Sequence, residues 1–350
     1  MSMLRRTLKG ALRRISPTYR SICYAIDGIS RIEEEQRKTK DMHKQLVADT
    51  CREISYSFSK NSESSVKKAI RPPVEMTLPI VDILKLQMVE IETFSFCNRK
   101  CWFCPNSFID RSSKNDYMDE KTYTKILKEL SLFKFKGTIS YSRYNEPLAD
   151  PVIFERLEQA RKILPNATLH TNTNGDYLTH ESLNMLKEAG LTTLNIQHYL
   201  AHDATFDKQQ IYACIDEMAE KLGIAKPIKE LQHRKRCGKK LDFDGIEIQM
   251  YAIDFAKTGT NRGDSLSTIQ PISRVKPCPL PFRDIYIDYD GSVMPCCNVR
   301  SDYAPHAEFI MGNVTNDSIF SIINNENYIN FRHNIIHNVS EFSPCNTCNM

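Results

Sequence analysis

The feature that most restricts the fold is a long middle stretch in which short apolar segments alternate with amphipathic helical ones. Residues 86–93 read as a strand, and residues 120–133 set Tyr123, Ile126, Leu127, Leu130 and Phe133 on one helical face. A strand over 138–142 follows. Asp150 then caps a helix with Pro151 at its first position, a placement both residues favour, and Ile153, Phe154, Leu157 and Ala160 form its apolar face. Strands over 167–171, 191–197 and 245–253 alternate with helices from Thr179 to the stop at Gly190 and over 207–222. This alternation predicts an α/β fold, a parallel sheet or barrel with helical crossovers. In such folds chemistry collects at the C-terminal ends of the strands.

The flanks differ. Residues 1–22 carry Arg5, Arg6, Lys9, Arg13, Arg14 and Arg20 and no acid, with Leu4, Leu8, Leu12 and Ile15 at helical spacing. They read either as a basic helix for a membrane surface or partner, or as a helix packed on its own protein. Residues 31–54 read as an exposed charged helix, and residues 57–73 as a polar linker, so residues 1–75 form a helical extension. From Ser273 the alternation stops. Residues 283–289 with Gly291 read as a hairpin opening a small C-terminal module.

No apolar run approaches the roughly 18–20 residues of a membrane span. The basic N-terminus leads into no signal-peptide core. A net charge of +4 does not argue for nucleic acid. A cytoplasmic chain is expected, and its twelve cysteines then call for metal rather than disulfides.

Three of them fall in CNRKCWFC, Cys97 to Cys104, directly after the first strand. A structural zinc site takes four ligands, usually as paired knuckles. Here the next cysteine is Cys214, and the loop holds no histidine. A cubane cluster normally takes four thiolates, so three leave one iron open for a ligand.

The C-x3-C-x2-C spacing, with Phe103 before the last cysteine, resembles the signature of the radical S-adenosylmethionine (SAM) enzymes. The resemblance covers residues 86–265 and implies a partial (β/α)6 barrel. It also implies a [4Fe–4S] cluster on Cys97, Cys101 and Cys104, whose open iron binds the amino and carboxylate groups of SAM. Reductive cleavage of SAM then yields a 5′-deoxyadenosyl radical that abstracts hydrogen from the substrate. YSRYNEP at 141–147 is similar to the family's Gly-Gly-Glu-Pro element. It keeps Glu146, which pairs with the methionine ammonium, and Pro147. It departs from the family in having Tyr144 and Asn145 where the glycines make backbone contacts. Thr173-Asn174-Gly175 resembles the family's turn near the ribose, and Gln197 is a further ribose candidate. Asn261-Arg262-Gly263 resembles an element of members with an extra cluster, and there Arg262 would hold the methionine carboxylate.

At the C-terminus Cys278, Cys296, Cys345 and Cys348 make two pairs, a set that suits zinc or a cluster equally. Beside the first motif they resemble the short "twitch" form of the SPASM extension, which holds one auxiliary [4Fe–4S] cluster. Residues 311–325 resemble a segment of the same extension, and Cys297 is an alternative to Cys296 as ligand. Cys23, Cys51, Cys214 and Cys237 read as ordinary thiols.

A cluster closed by four thiolates suits electron transfer. The expected reaction is therefore two-electron oxidation of a polar small molecule, a carbohydrate or cyclitol alcohol, with an external flavodoxin or ferredoxin as donor. The same parts also serve peptide maturases, and epimerases with a thiol hydrogen donor. A non-enzymatic electron carrier would not need Glu146 or the T-N-G turn.

Overall fold

The computed structural model describes residue 81 and residues 85–224, 229–233 and 236–350. The basic helix, charged helix and linker expected over residues 1–75, with Cys23 and Cys51, lie outside the described residues.

A ten-stranded sheet in the order β10-β9-β8-β1-β2-β3-β4-β7-β6-β5 organises the described chain. Its parallel centre is β1 (Met88–Ile91), β2 (Thr138–Ser140), β3 (Thr168–Thr173), β4 (Thr193–Gln197) and β7 (Ile246–Ile253). The crossovers are α1 (Glu120–Leu132), α2 (Val152–Ile163), α3 (His180–Glu188) and α4 (Lys208–Lys221). Their starts follow from local chemistry. The Asp119 and Asp207 side chains accept from Thr122 N and Gln210 N, and Thr179 forms a capping box with Ser182. Asp150 accepts from Val152 N at 2.9 Å, just ahead of α2.

The strands alternate. Leu169, Leu194, Ile196, Ile248 and Met250 are buried in one apolar core with Ile126, Leu127, Ile153, Leu157, Leu183, Leu186 and Ile215 of the helices. The intervening His170, Asn172, Asn195, Gln197 and Gln249 are half-buried and polar. They hydrogen-bond along the sheet: Asn195 Nδ2 donates to Asn172 Oδ1 at 2.8 Å, and His170 Nδ1 meets Thr193 Oγ1 at 2.7 Å. One face of the partial barrel is thus a dry helix interface and the other a polar surface.

Two features differ from the sequence expectation. Residues 229–243 carried no strand signal, yet β5 (Lys229–His233) and β6 (Arg236–Phe243) extend the sheet antiparallel from β7. Their lysines and glutamate suit an edge position. The expected C-terminal hairpin forms as β8 (Asp284–Ile287) and β9 (Ser292–Met294), but β8 also pairs in parallel with β1. β10 (Gly312–Asn313) then pairs with β9. The C-terminal cysteine region therefore shares the sheet that presents the first cysteine loop. Among the described residues no helix is long and apolar enough to cross a membrane.

Candidate metal and cofactor site

Cys97, Cys101 and Cys104 sit on the loop after β1 and line one cavity of about 550 Å³. The loop is anchored by its own backbone: Cys97 N donates to Arg111 O at 2.9 Å and Cys104 N to Cys101 O at 3.0 Å. Burial pushes the free thiol of Cys97 up to about 11 and that of Cys101 to about 12. Such groups bear a proton until a metal displaces it.

The cavity brings the sequence-predicted residues together: Phe103, Glu146, Asn174, Gln197 and Arg262 all line it. Phe103 is buried and stacks on Phe255, centroids 3.7 Å apart and planes within 5°. Glu146 bridges two strand ends. Its carboxylate accepts from Thr173 Oγ1 at 2.6 Å, Asn174 N at 2.7 Å and Leu148 N at 3.1 Å. Burial raises its pKa against these three donors. Asn174 also donates to Asn98 Oδ1 at 2.9 Å, which ties the T-N-G turn to the cysteine loop. Gly175 takes φ +83° in that turn, a value that favours glycine. Gln197 donates to Tyr251 Oη at 2.8 Å.

Arg262 has φ +50° and is followed by Gly263 at +63° and Asp264 at +63°, a left-handed run that L side chains rarely adopt. Asn261 Nδ2 pins the run to Asp264 at 2.6 Å, and His306 Nε2 bonds Gly263 O at 2.7 Å. A Cβ at Gly263 would lie 2.9 Å from that imidazole, so only glycine fits.

Tyr144 and Asn145, which stand where glycines were expected, are buried. Tyr144 N donates to Glu92 at 3.1 Å, and its hydroxyl donates to Cys297 O at 2.9 Å. The Arg300 guanidinium lies 4.1 Å from its ring centroid. Tyr144 therefore spans from the first cavity to the C-terminal cysteines. Two buried donors among the cavity-lining residues have no hydrogen-bond partner among the described residues, Asn145 Nδ2 and Arg262 Nε, whereas Arg143 Nη1 faces Glu90 at 3.5 Å. Unpaired buried donors are costly, so they point to an acceptor-rich ligand such as a carboxylate.

A second cavity of about 500 Å³ adjoins the first through Arg99, Asn174, Gln197 and Tyr199. Arg99 holds Asp176 through Nε at 2.7 Å and Nη2 at 2.5 Å at this junction. Cys214 also lines the second cavity, and Cys237 is buried in β6.

The C-terminal thiols assemble from the sequence between α5 (Phe255–Thr258) and β8, the turn after β9, and the chain end. Cys345 lies within electrostatic reach of Cys348 and Cys278, and Cys296 of Cys297, Cys345 and Cys278. Burial raises the pKa of all three of Cys278, Cys296 and Cys345. Cys297 adjoins the same thiols through Cys296 and Cys278 and also has Glu90, Arg262 and Arg143 as charged neighbours. Asn298 Nδ2 donates to Cys348 Sγ at 3.4 Å. Among the described residues no three His, Cys, Asp or Glu are arranged for a single metal ion. A cubane binds each thiolate through a different iron, whereas zinc needs every ligand within about 2.0–2.3 Å of one point.

Sequence reasoning missed Asn106, Arg143, Asn298, Arg300 and Asp302. Their only sequence signal is position, close to a cysteine or to the Glu146 element.

Two family models match the chain: the radical SAM superfamily over residues 91–200 and the SPASM iron–sulfur cluster-binding domain over residues 278–349. A curated relative from Niallia circulans, S-adenosyl-L-methionine-dependent 2-deoxy-scyllo-inosamine dehydrogenase, is 28% identical over 246 residues. The match covers 70% of this chain and 85% of that protein. The crystal structure of BtrN in complex with AdoMet and 2-DOIA aligns at TM-score 0.56 with 24% identity, covering 76% of this chain and 93% of that one. BtrN in an open conformation aligns at TM-score 0.50 with 23% identity, covering 76% and 92%. These structural likenesses establish a shared fold.

Proposed function

Because the chain is a radical SAM protein with a C-terminal iron–sulfur cluster-binding domain of the SPASM type, we propose that it is a dehydrogenase of a polar cyclitol or carbohydrate alcohol. What supports this reading is that three thiols on one loop face the first cavity while the C-terminal cysteine region, joined to the same sheet by the pairing of β8 with β1, supplies further thiols next to one another. Residues 86–265 would form the SAM-binding part and residues 270–350 the auxiliary part, in a cytoplasmic protein.

The residues fit the groups the family implies. Cys97, Cys101 and Cys104 would hold the first [4Fe–4S] cluster, and Cys278, Cys296, Cys345 and Cys348 the second. When bound, the first cluster with SAM supplies a 5′-deoxyadenosyl radical for hydrogen abstraction, and the second supplies an acceptor for the electron the substrate releases. The chain's part is to bind and orient. Arg262 Nε and Asn145 Nδ2 are the donors free for the methionine carboxylate. Glu146, with three of its acceptor positions in use, has capacity left for the ammonium. Asn174 and Gln197 lie where the cavities adjoin and would meet the ribose, and Phe103 on Phe255 walls the cluster loop.

The polar face with Ser142, His170, Asn172 and Asn195 offers neutral hydrogen-bonding groups suited to hydroxyls. The sequence relative acts on a cyclitol by name. Both favour the small-molecule reading over peptide maturation. Each turnover begins with one electron from outside, and a flavodoxin or ferredoxin is the class of donor.

The test is anaerobic reconstitution, reduction with dithionite and addition of SAM with a panel of cyclitols and sugars. Formation of 5′-deoxyadenosine together with a ketone supports the proposal. Deoxyadenosine with an epimerised alcohol or a modified peptide redirects it, and none at all leaves the electron-carrier reading.

A further inference from the structure

One buried asparagine stands beside each thiol set, and each asparagine is held by an arginine from the other cysteine region. Asn106, two residues past Cys104, is 3% exposed and lines the first cavity beside Cys97, Cys101 and Cys104. It also donates from Nδ2 to Tyr144 O at 2.7 Å. Its Oδ1 accepts from Arg300 Nη1 at 3.1 Å, and Arg300 lies four residues past Cys296.

Asn298, also 3% exposed, stands two residues past Cys296 and donates to Cys348 Sγ at 3.4 Å. Its Oδ1 accepts from Arg262 Nη1 at 3.3 Å and Thr260 Oγ1 at 3.1 Å. Arg262 lines the first cavity.

The arginine behind Asn106 is itself fixed. Arg300 is fully buried, and Asp302 takes its Nη2 at 2.7 Å. Asp302 also accepts from Arg111 Nε at 2.8 Å. Arg111 in turn bonds Ser95 O at 2.8 Å and receives Cys97 N on its own carbonyl.

Hydrogen bonds to cluster sulfurs stabilise the more negative, reduced form and so raise the potential. A guanidinium on the amide oxygen polarises the amide and strengthens its N–H as a donor.

We propose that Asn106 and Asn298 are crossed tuning residues: each sets the reduction potential of one cluster, and each is controlled by an arginine from the surroundings of the other. The first cluster's potential then depends on Arg300 of the auxiliary region, and the second cluster's on Arg262 of the SAM cavity. The inference rests on the two-cluster reading above.

The experiment is an EPR-monitored redox titration of the reconstituted full chain, with iron counted in each sample. Asn106→Ser should shift only the first cluster to a more negative potential, and Asn298→Ser only the second. The decisive variants are Arg300→Lys, expected to lower the first potential, and Arg262→Lys, expected to lower the second. If both arginine variants retain about eight irons per chain and leave the far cluster's potential unchanged, the crossed control is wrong. Should either arginine variant fail to fold, unchanged potentials in the two serine variants overturn the proposal equally. A wild-type chain holding only one cluster would refute the two-cluster reading itself, a failure seen in the iron count before any titration.

Discussion

The two cysteine regions solve opposite problems. The first packs three thiols into one loop at the end of β1 and faces them onto a cavity lined with unpaired donors. The second draws its thiols from well-separated segments, with Cys278 buried in the core, Cys296 and Cys345 packed partly buried against it, and Asn298 bonded to Cys348. A local loop can leave a coordination position vacant because one side faces open space. A set gathered from distant segments closes on itself, which suits a centre that only exchanges electrons. Yet the two are not independent, since β8 pairs with β1 and Tyr144 reaches from one to the other.

The largest expected effect divides the regions. Cys101→Ala should remove about half of roughly eight irons and abolish 5′-deoxyadenosine formation, whereas Cys345→Ala should lose the other half and keep that activity. Iron assay and chromatography of the nucleoside check both, and loss of deoxyadenosine in both variants would erase the contrast. Next comes the join between the regions. Asp302 is partly buried, which alone would raise its pKa, but Arg300 and Arg111 hold it down at about 2. Asp302→Asn removes the charge shared by two buried arginines, which keep Glu92, Ser95 O and Asn106 as partners, and should cost about 1–3 kcal/mol in urea unfolding. A change under about 0.5 kcal/mol would mean the regions are joined by the sheet alone.

Within the first region, Glu146→Gln should weaken SAM binding by roughly 10–100-fold, the value of a hydrogen bond to a charged group. Equilibrium dialysis checks it, and unchanged affinity would leave Glu146 as a strut between strands. A last test concerns Glu90, whose pKa burial raises to about 8 although Arg143 opposes it. A raised carboxyl pKa means the native state holds the proton to higher pH. The stability from that protonation is full below about 4.5 and lost as pH rises towards 8. Glu90→Gln should flatten the fall in stability between pH 5 and pH 8, measured by urea titration at each. An equally steep fall in the variant would assign it elsewhere.

How much of this was legible follows the same division. The cysteine loop, Glu146, Asn174 and Arg262 were readable because short motifs mark them, Gln197 from its place at a strand end, and all of them line one cavity. The central strands and helices were readable from periodicity, since one face of each is apolar. Asn106 and Arg300, 194 residues apart, were not, because nothing local marks a contact across that distance. Tyr144 read as a departure from a glycine pattern, and only its bond to Cys297 O gives it a place. The pairing of β8 with β1 was likewise hidden, since a four-residue strand does not announce its neighbour. The β5–β6 edge escaped because its charged residues, with no regular alternation of burial along β6, resemble a loop.

The difference between an open and a closed centre can be measured directly. Mössbauer spectra of the reconstituted, iron-57-enriched chain, recorded with and without SAM, resolve the environment of each iron. The account predicts that one iron among about eight, a single site of the first cluster, changes its spectrum when SAM is added. An unchanged spectrum, with every iron already bound by protein, would contradict it.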